Sequence, residues 1–311
     1  MPMLNPFVFA GAGLLDEVLG DPEGWPHPVR AIGWVIARVD QARMRITSVW
    51  GLRILGLFLA LGLPLAAAAC AAGAVRLGGG WGWLAELVLG AWMLAGRSLR
   101  TAVRSVAEAL DAGDLARARR AVARVVGRDT AALDEDGVVR AGLETLAESL
   151  CDGVVAPLFW FALGGLPALW AFKAVSTLDS MVGHHEAPWT HFGWASARLD
   201  DLMNLVPARI CALLIAGAAG SVPALRLAWR DGGRTASPNA GWVEAAFAGA
   251  LGVELGGTNA YDGVVKEGPR LGDPRRPRDP AVLRAGLGLA GRVNRVAIVL
   301  GTALLGVIHV L

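Results

Sequence analysis

Long uncharged apolar stretches constrain the fold of this chain more than any other feature of its sequence. Residues 54–75 contain no charged side chain, and residues 205–225 are interrupted only by Arg209. A helix rises about 1.5 Å per residue, so about 20 apolar residues cross the roughly 30 Å core of a bilayer. Residues 293–311 and the shorter 81–95 continue the pattern. The sequence therefore predicts several membrane-spanning helices.

Composition supports this prediction and excludes some classes of protein. The chain is 54% apolar and 18% charged, whereas soluble domains average about 45–50% apolar and about 25% charged residues. A net charge of +2 gives no electrostatic footprint for nucleic acid. The three cysteines have no metal-type spacing. The first apolar residues lack a basic n-region, so we expect no cleaved signal peptide.

Two polar segments, residues 97–152 and 226–292, separate the apolar stretches. The first reads as amphipathic helices split at residues 111–114. In the second, Asn239 is predicted to cap a short helix that ends at Gly256 and Gly257. Few stretches resemble strands. We therefore predict an all-α, polytopic membrane protein, residues 1–311 forming one membrane domain with the two polar segments as cytoplasmic parts.

Arginines orient these segments, because basic loops stay on the cytoplasmic side. A simple count of spans then puts residues 176–209 outside. Residues 153–175, however, are interrupted by helix-breaking residues, namely Gly164, Gly165 and Pro167. They predict a re-entrant segment, whose two half-helices enter and leave on one face. We therefore expect the active site at the cytoplasmic face of the inner (plasma) membrane.

An acidic stripe runs into the re-entrant segment. Arg140, Glu144, Glu148 and Asp152 recur every four residues and so share one helix face. Such a face can be an ordinary solvated one, stabilised by about 0.2–0.5 kcal/mol per pair. Because it leads directly into apolar sequence, it also suits a hard cation such as Mg²⁺, which takes oxygen ligands.

Residues 176–209 concentrate ionisable groups in apolar surroundings. Asp200 and Asn204 lie on one helical face with Asp201 adjacent, a pattern that suits Mg²⁺ held against phosphates. Asp179 adds a third carboxylate. The cations that flank this cluster as candidate phosphate partners are Lys173 and Arg209. The histidines of the stretch lack tight metal spacing, and both a direct role and a structural one stay open for them.

The end of the first apolar stretch carries a further polar group, comprising Asp16, Asp21, His27 and Arg30. Ionisable residues at membrane depth are functional candidates by default. Interfacial residues at a helix terminus would give the same pattern, so both interpretations stay open.

Seven segments, taken in order along nearly the whole chain, resemble the CobD/CbiB family. They read GDPxxxPHPVRxIG (20–33), GRDT (127–130), RAxxETLAESxxDGVVAPLF (140–159), TLDSMVG (177–183), FGWASARLDDLMNLVPAR (192–209), SPNAGWVEAAFAGALGVELGG (237–257) and YDG (261–263). Ser149 and Ser176 stand where the family pattern has Asn. The resemblance implies a membrane-bound adenosylcobinamide-phosphate synthase.

The resemblance implies ATP-dependent joining of adenosylcobyric acid to an amino-alcohol phosphate, with Mg²⁺ as cofactor and ATP as cosubstrate. The lipid bilayer and other membrane enzymes of corrinoid synthesis are the expected partners. No Walker A sequence is present. We predict catalytic roles for Asp179, Asp200, Asp201, Glu148 and His27. We predict nucleotide or phosphate contacts for Arg30, Arg128, Lys173, Arg209 and Asn239, and metal ligation for Asp200, Asp201, Asn204, Asp152 and Asp21.

Three alternatives remain at this point. A sensor protein of the AmpE type would be no enzyme, although the dense acids argue against it. A CDP-alcohol phosphotransferase would need its long DGxxAR sequence, which is absent. A permease does not explain the two large polar segments.

Overall fold

The computed structural model describes residues 4–20, 24, 27–184 and 188–311. The chain divides into two compact units. The first comprises Met1–Ala95, Pro157–Asn204 and Ile298–Leu311, and the second comprises Gly96–Ala156 and Leu205–Ala297. Both segments predicted to be cytoplasmic lie almost wholly in the second unit.

Helices make up most of the described chain, which confirms the predicted fold class. In chain order they are α1 (Pro6–Leu19), α2 (Pro28–Arg43), α3 (Val49–Leu77), α4 (Gly82–Ala91), α5 (Gly96–Asp111), α6 (Leu115–Val122), α7 (Glu135–Leu150), α8 (Ala156–Val182), α9 (Trp194–Ala219), α10 (Val222–Asp231), α11 (Ala240–Leu251) and α12 (Pro280–Val310). A 3-10 turn, Gly79–Trp81, precedes α4, and a π-helical turn, Cys151–Val155, joins α7 to α8.

Four of the helical segments that the structure describes are long and apolar enough to cross a membrane. They are Val49–Leu77, Glu135–Val182, Trp194–Ala219 and Pro280–Val310. The predicted span at residues 81–95 was wrong, because α4 has only 10 residues and reaches about 15 Å. The predicted span at residues 205–225 ends early, since α9 stops at Ala219.

The break predicted in residues 153–175 is present within α8. Gly164 (φ −143°) and Gly165 (φ +63°) leave helical geometry, and the second lies in a region that side chains other than glycine rarely adopt. An interrupted helix in the apolar zone needs protein or water to satisfy its freed backbone groups. Re-entry of the two halves on one face remains a prediction.

A hairpin that the sequence analysis missed follows α11. Strands β1 (Glu254–Tyr261) and β2 (Val264–Gly272) pair antiparallel through a two-residue turn, Asp262-Gly263. Both turn residues have positive φ, as a type I′ turn requires. The predicted end of α11 was also wrong: the helix ends at Gly252 in left-handed geometry, and Gly256 and Gly257 lie in β1.

Each unit has its own core. In the first unit, α2, α3 and α8 bury a cluster that includes Ile36, Leu178 and Phe192. In the second unit α7 packs against α5, α6, α11 and β1, so that its residues Leu143 and Leu146 are fully buried. The predicted split of the first polar segment is confirmed, since Asp114 caps α6 by accepting from Arg117 N–H (2.8 Å).

Candidate active site

Helix α7 is the element that positions the site in the second unit. It begins at Asp134, whose side chain accepts from Gly137 N–H (2.8 Å), and a short polar N-cap of this kind fixes where a helix starts. With that start, Glu144 and Glu148 are one turn apart on one face. Glu144 is only 6% exposed, so its charge requires partners inside the protein.

Arg128 and the hairpin supply those partners. Arg128 Nη2 forms an ion pair with Glu144 Oε2, and Arg128 Nη1 donates to Asn259 Oδ1. Gly256 N–H donates to the other carboxylate oxygen, Glu144 Oε1 (2.6 Å). The pair is therefore buried and fully engaged, and it ties the loop around Arg128 to α7 and to β1.

Arg140 fastens the same hairpin from one turn earlier on α7. Its guanidinium donates to the carbonyls of Gly256 and Thr258 and to Asn259 Oδ1. The predicted acidic stripe thus has a structural part, Arg140 and Glu144, that holds β1 against α7. Glu148 lies on the same helix face, next to open space.

That space is a cleft of about 280 Å³ within the second unit. Charged groups line it on several sides, namely Arg128, Glu144, Glu148 and Glu244. Hydroxyl groups and glycines complete the lining, among them Thr145, Ser149, Thr235, Gly127, Gly256 and Gly257. Of the residues predicted from sequence, the structure places Arg128 and Glu148 together here. We take this cleft as the candidate active site.

Glu244 is the site residue that the sequence analysis missed. It lies on α11, outside the four candidate spans, and lines the cleft. Burial in the protein, reinforced by the neighbouring carboxylates of Glu144 and Glu148 and opposed by Arg128, raises the pKa of Glu244 to about 8. A carboxyl group that titrates near neutral pH in a cleft is suited to accept or donate protons. A signal was present, because Glu244 is the only charged residue in α11.

Arg209 and Asn239 are also brought together, beside the start of α11. Arg209 donates to Asn239 Oδ1 (2.7 Å) and to Pro238 O (3.0 Å), and its guanidinium lies 4.8 Å from the ring centre of Trp242. The predicted capping role of the Asn239 side chain was therefore wrong, since its oxygen accepts from Arg209. Ser237 and Thr235 cap the helix instead, accepting from backbone N–H groups of residues 239–241.

The predicted metal ligands fall in both units. Asp200, Asp201 and Asn204 lie on α9 in the first unit, and Asp152 lies in the π-helical turn of the second. Asp21 lies outside the described residues. Within the described chain, no group of three or more His, Cys, Asp and Glu side chains is arranged to hold a metal ion.

Asp200 and Asn204 are the predicted ligands that the structure brings into direct contact. Asn204 Nδ2 donates to Asp200 Oδ2 (3.0 Å). Asn204 is 2% exposed, and its Oδ1 atom has no hydrogen-bond partner among the residues described. A buried, unsatisfied amide oxygen beside a carboxylate is a suitable pair of ligands for Mg²⁺. Asp201 faces Arg198 at 3.9 Å, a loose and exposed contact.

The remaining predicted residues lie in the first unit. His27 caps α2: its Nδ1 accepts from Val29 N–H (3.2 Å), and its Nε2 lies 2.8 Å from the carbonyl of Trp92. This arrangement gives His27 a structural role, and its catalytic role stays a prediction. Arg30 is exposed on α2, and Lys173 and Asp179 are half-buried on α8.

Fold and site together define a helical membrane protein with a charged cleft in its second unit. The chain belongs to the CobD/CbiB family, whose model, described as CobD/Cbib protein, matches residues 9–290. This finding confirms the resemblance drawn from the sequence.

Proteins called cobalamin biosynthesis protein CobD are similar along most of the chain. The Rhizobium meliloti protein is 47% identical over 279 residues, 85% of each chain. The Geobacter metallireducens protein is 46% identical over 283 residues, 88% of each chain. The Pelobacter propionicus protein is 44% identical over 318 residues, 98% of each chain. No solved structure matches the chain.

Proposed function

We propose that the chain acts in cobalamin biosynthesis as an ATP-dependent amide ligase. It would join the free propionate of adenosylcobyric acid to the amine of aminopropanol phosphate or ethanolamine phosphate, giving adenosylcobinamide phosphate. Membership of the CobD/CbiB family supports the pathway. The observation that supports this proposal best is the cleft itself, which brings Glu244, Glu148 and Arg128 together, and in which burial raises the pKa of Glu244 to about 8.

The chemistry requires an activated acyl group, because a carboxylate does not react with an amine at neutral pH. Transfer of the terminal phosphoryl group of ATP to the propionate gives an acyl phosphate and ADP. Attack by the amine then forms the C–N bond, breaks the bond from the acyl carbon to the phosphate oxygen, and releases inorganic phosphate. Cations stabilise such transfers by neutralising phosphate charge, and the predicted set is Arg30, Arg128, Lys173 and Arg209.

The amine must lose a proton during this attack. Bound in the cleft, its ammonium group would lie near Glu148 and Glu244. The Glu148 carboxylate attracts it, and its positive charge favours the ionised form of Glu244. Glu144 is already engaged by Arg128 and Gly256, which leaves Glu244 as the acceptor whose affinity for the proton is suited to neutral pH. The ammonium nitrogen first gives one proton to a Glu244 carboxylate oxygen, which frees its lone pair for attack. The departing phosphate takes the second proton that the nitrogen loses as the C–N bond forms.

Mg²⁺, when bound, would neutralise the charge that develops on the transferred phosphoryl group. The residues proposed to hold it are those predicted from the sequence, with Asp200 and Asn204 the pair that the geometry favours. Asp201, Asp152 and Asp21 are the further ligands predicted from the sequence. We place this reaction at the cytoplasmic face of the inner membrane, since ATP and amino-alcohol phosphates do not cross a bilayer unaided.

Purified protein in detergent or nanodiscs tests the proposal. With Mg²⁺ and ATP, release of ADP should depend on the corrinoid acid and the amino-alcohol phosphate together, and should match amide formation one to one. ADP release that does not depend on both substrates, or no ADP release under any condition, would refute the ligase and favour a sensor protein.

A further inference from the structure

Helix α10 presents an exposed face that combines large apolar side chains with arginines, and within it Trp229 packs edge-on against Trp242 (ring centres 5.5 Å apart). Val222 and Trp229 are each 78% exposed, and Leu225 is 45% exposed. Their spacing of three and four residues puts them on one side of the helix. The opposite side, formed by Ala224, Leu227 and Ala228, is buried where α10 packs on α11.

The charge around this face is positive. Asp231 and Asp273 are contacted by four arginines, and the contacts within the described chain are Arg226–Asp273 (3.5 Å), Arg230–Asp231 (2.7 Å), Arg230–Asp273 (2.8 Å), Arg234–Asp231 (3.1 Å) and Arg275–Asp273 (3.8 Å). Two carboxylates cannot neutralise four guanidinium groups. The cluster therefore keeps an excess of positive charge, and three of its arginines are on or just after α10.

The position of α10 in the chain puts this face directly after a candidate membrane span. Helix α9, a candidate membrane span, ends at Ala219. Gly220 (φ +58°) and the bond from Ser221 N–H to Ala216 O (2.9 Å) close it with a Schellman-type cap. Ser221 then caps α10 through Ala224 N–H (3.2 Å). Three Cα steps carry Val222 at most about 11 Å from Ala219, so α10 begins close to the end of the candidate span.

We infer that α10 is an interfacial anchor that lies in the headgroup region of the bilayer and binds anionic phospholipids. Val222, Leu225 and Trp229 enter the acyl boundary, as tryptophan commonly does at membrane interfaces. Arg226, Arg230 and Arg234 face the lipid phosphates, which attract basic residues next to a span. The inference is independent of the proposed reaction, because it rests on residues outside the cleft.

Site-directed fluorescence tests the depth of α10. Leu225→Cys is introduced into a chain in which the exposed Cys70 has been replaced. The other two cysteines, Cys151 and Cys211, are buried and are kept. The variant is labelled with an environment-sensitive dye and placed in nanodiscs containing nitroxide lipids. Leu213→Cys on α9, 56% exposed, is the reference for lipid, and Ala116→Cys on α6, exposed, is the reference for water.

We expect the dye at residue 225 to be quenched at least three-fold more than at residue 116, most strongly by nitroxides near the headgroup. The dye at residue 213 should respond most to deeper nitroxides. Replacing phosphatidylcholine by phosphatidylglycerol should increase quenching at residue 225, and Arg226→Gln with Arg234→Gln should abolish that increase. Quenching at residue 225 equal to that at 116 would overturn the anchor, and indifference to phosphatidylglycerol would overturn the anionic-lipid assignment.

Discussion

Replacing Glu244 by Gln should make the protein more stable at alkaline pH. Glutamine keeps the size of the side chain and removes its titration. Because burial and two neighbouring carboxylates raise the pKa of Glu244 from 4.5 to about 8, the folded protein retains a proton that the unfolded chain has already lost between these values. Stability must therefore fall as the pH rises through this window.

The size of the effect follows from the two pKa values. Below pH 4.5 both states are protonated and Glu244 has no effect on stability. Above pH 8 the folded state carries a buried charge. The free energy of unfolding is then lower than below pH 4.5, by about 1.4 kcal/mol for each pH unit between the two pKa values. The difference amounts to about 5 kcal/mol at most, which is a large share of the stability of a typical domain.

Thermal unfolding in detergent at pH 5 and pH 9 measures this difference. The Glu244→Gln variant should unfold at nearly the wild-type temperature at pH 5 and at a clearly higher temperature at pH 9. Glu108→Gln, at an exposed position on α5, is the matched control and should leave the unfolding temperature unchanged at both pH values. An equal effect of Glu244→Gln at both pH values would refute the reasoning. The same variant should lose about 10²- to 10⁴-fold in amide formation, the usual contribution of a general base.

Further predictions concern the buried ion pair, the proposed cation site and the orientation in the membrane. Glu144→Gln should destabilise the protein by about 3–5 kcal/mol, since it leaves Arg128 buried without its carboxylate. Arg270, which is 72% exposed, pairs with Glu254, so Arg270→Gln should change stability by less than about 1 kcal/mol. Equal melting temperatures of the two variants would contradict this. Asp200→Asn and Asp201→Asn should each reduce turnover by orders of magnitude and raise the Mg²⁺ concentration needed, and wild-type rates would leave both carboxylates a structural role. Cysteines at the exposed positions Ser180 and Arg198 should react with an impermeant thiol reagent only in inside-out vesicles, and labelling from outside intact cells would overturn the re-entrant topology.

Local features of the sequence were sufficient for much of the fold. Apolar stretches such as residues 54–75 predict spans because the bilayer sets their length. Gly164 and Gly165 predict the break in α8 because backbone freedom is a property of the residue itself. The hairpin was missed although Asp262-Gly263 is a strong local turn signal, because the flanking strands are rich in glycine and polar residues and do not alternate clearly between apolar and polar positions.

The site could be predicted only in part, because its geometry depends on contacts between distant segments. Arg128 and Glu148 were predicted, but their proximity depends on the packing of the loop before α7. Glu244 could not be linked to them, since its pKa depends on α11 lying against α7. The cap assigned to Asn239 failed for the same reason: Arg209, thirty residues earlier, takes its oxygen.

The fate of the carboxylate oxygen during amide formation tests the central claim most directly. Corrinoid acid labelled with ¹⁸O in its free carboxylate is incubated with the purified protein, Mg²⁺, ATP and the amino-alcohol phosphate, and the released phosphate is analysed by mass spectrometry. Activation through an acyl phosphate predicts one ¹⁸O atom in each inorganic phosphate formed, in step with the amide. Phosphate free of ¹⁸O, or ¹⁸O recovered in AMP, would contradict it.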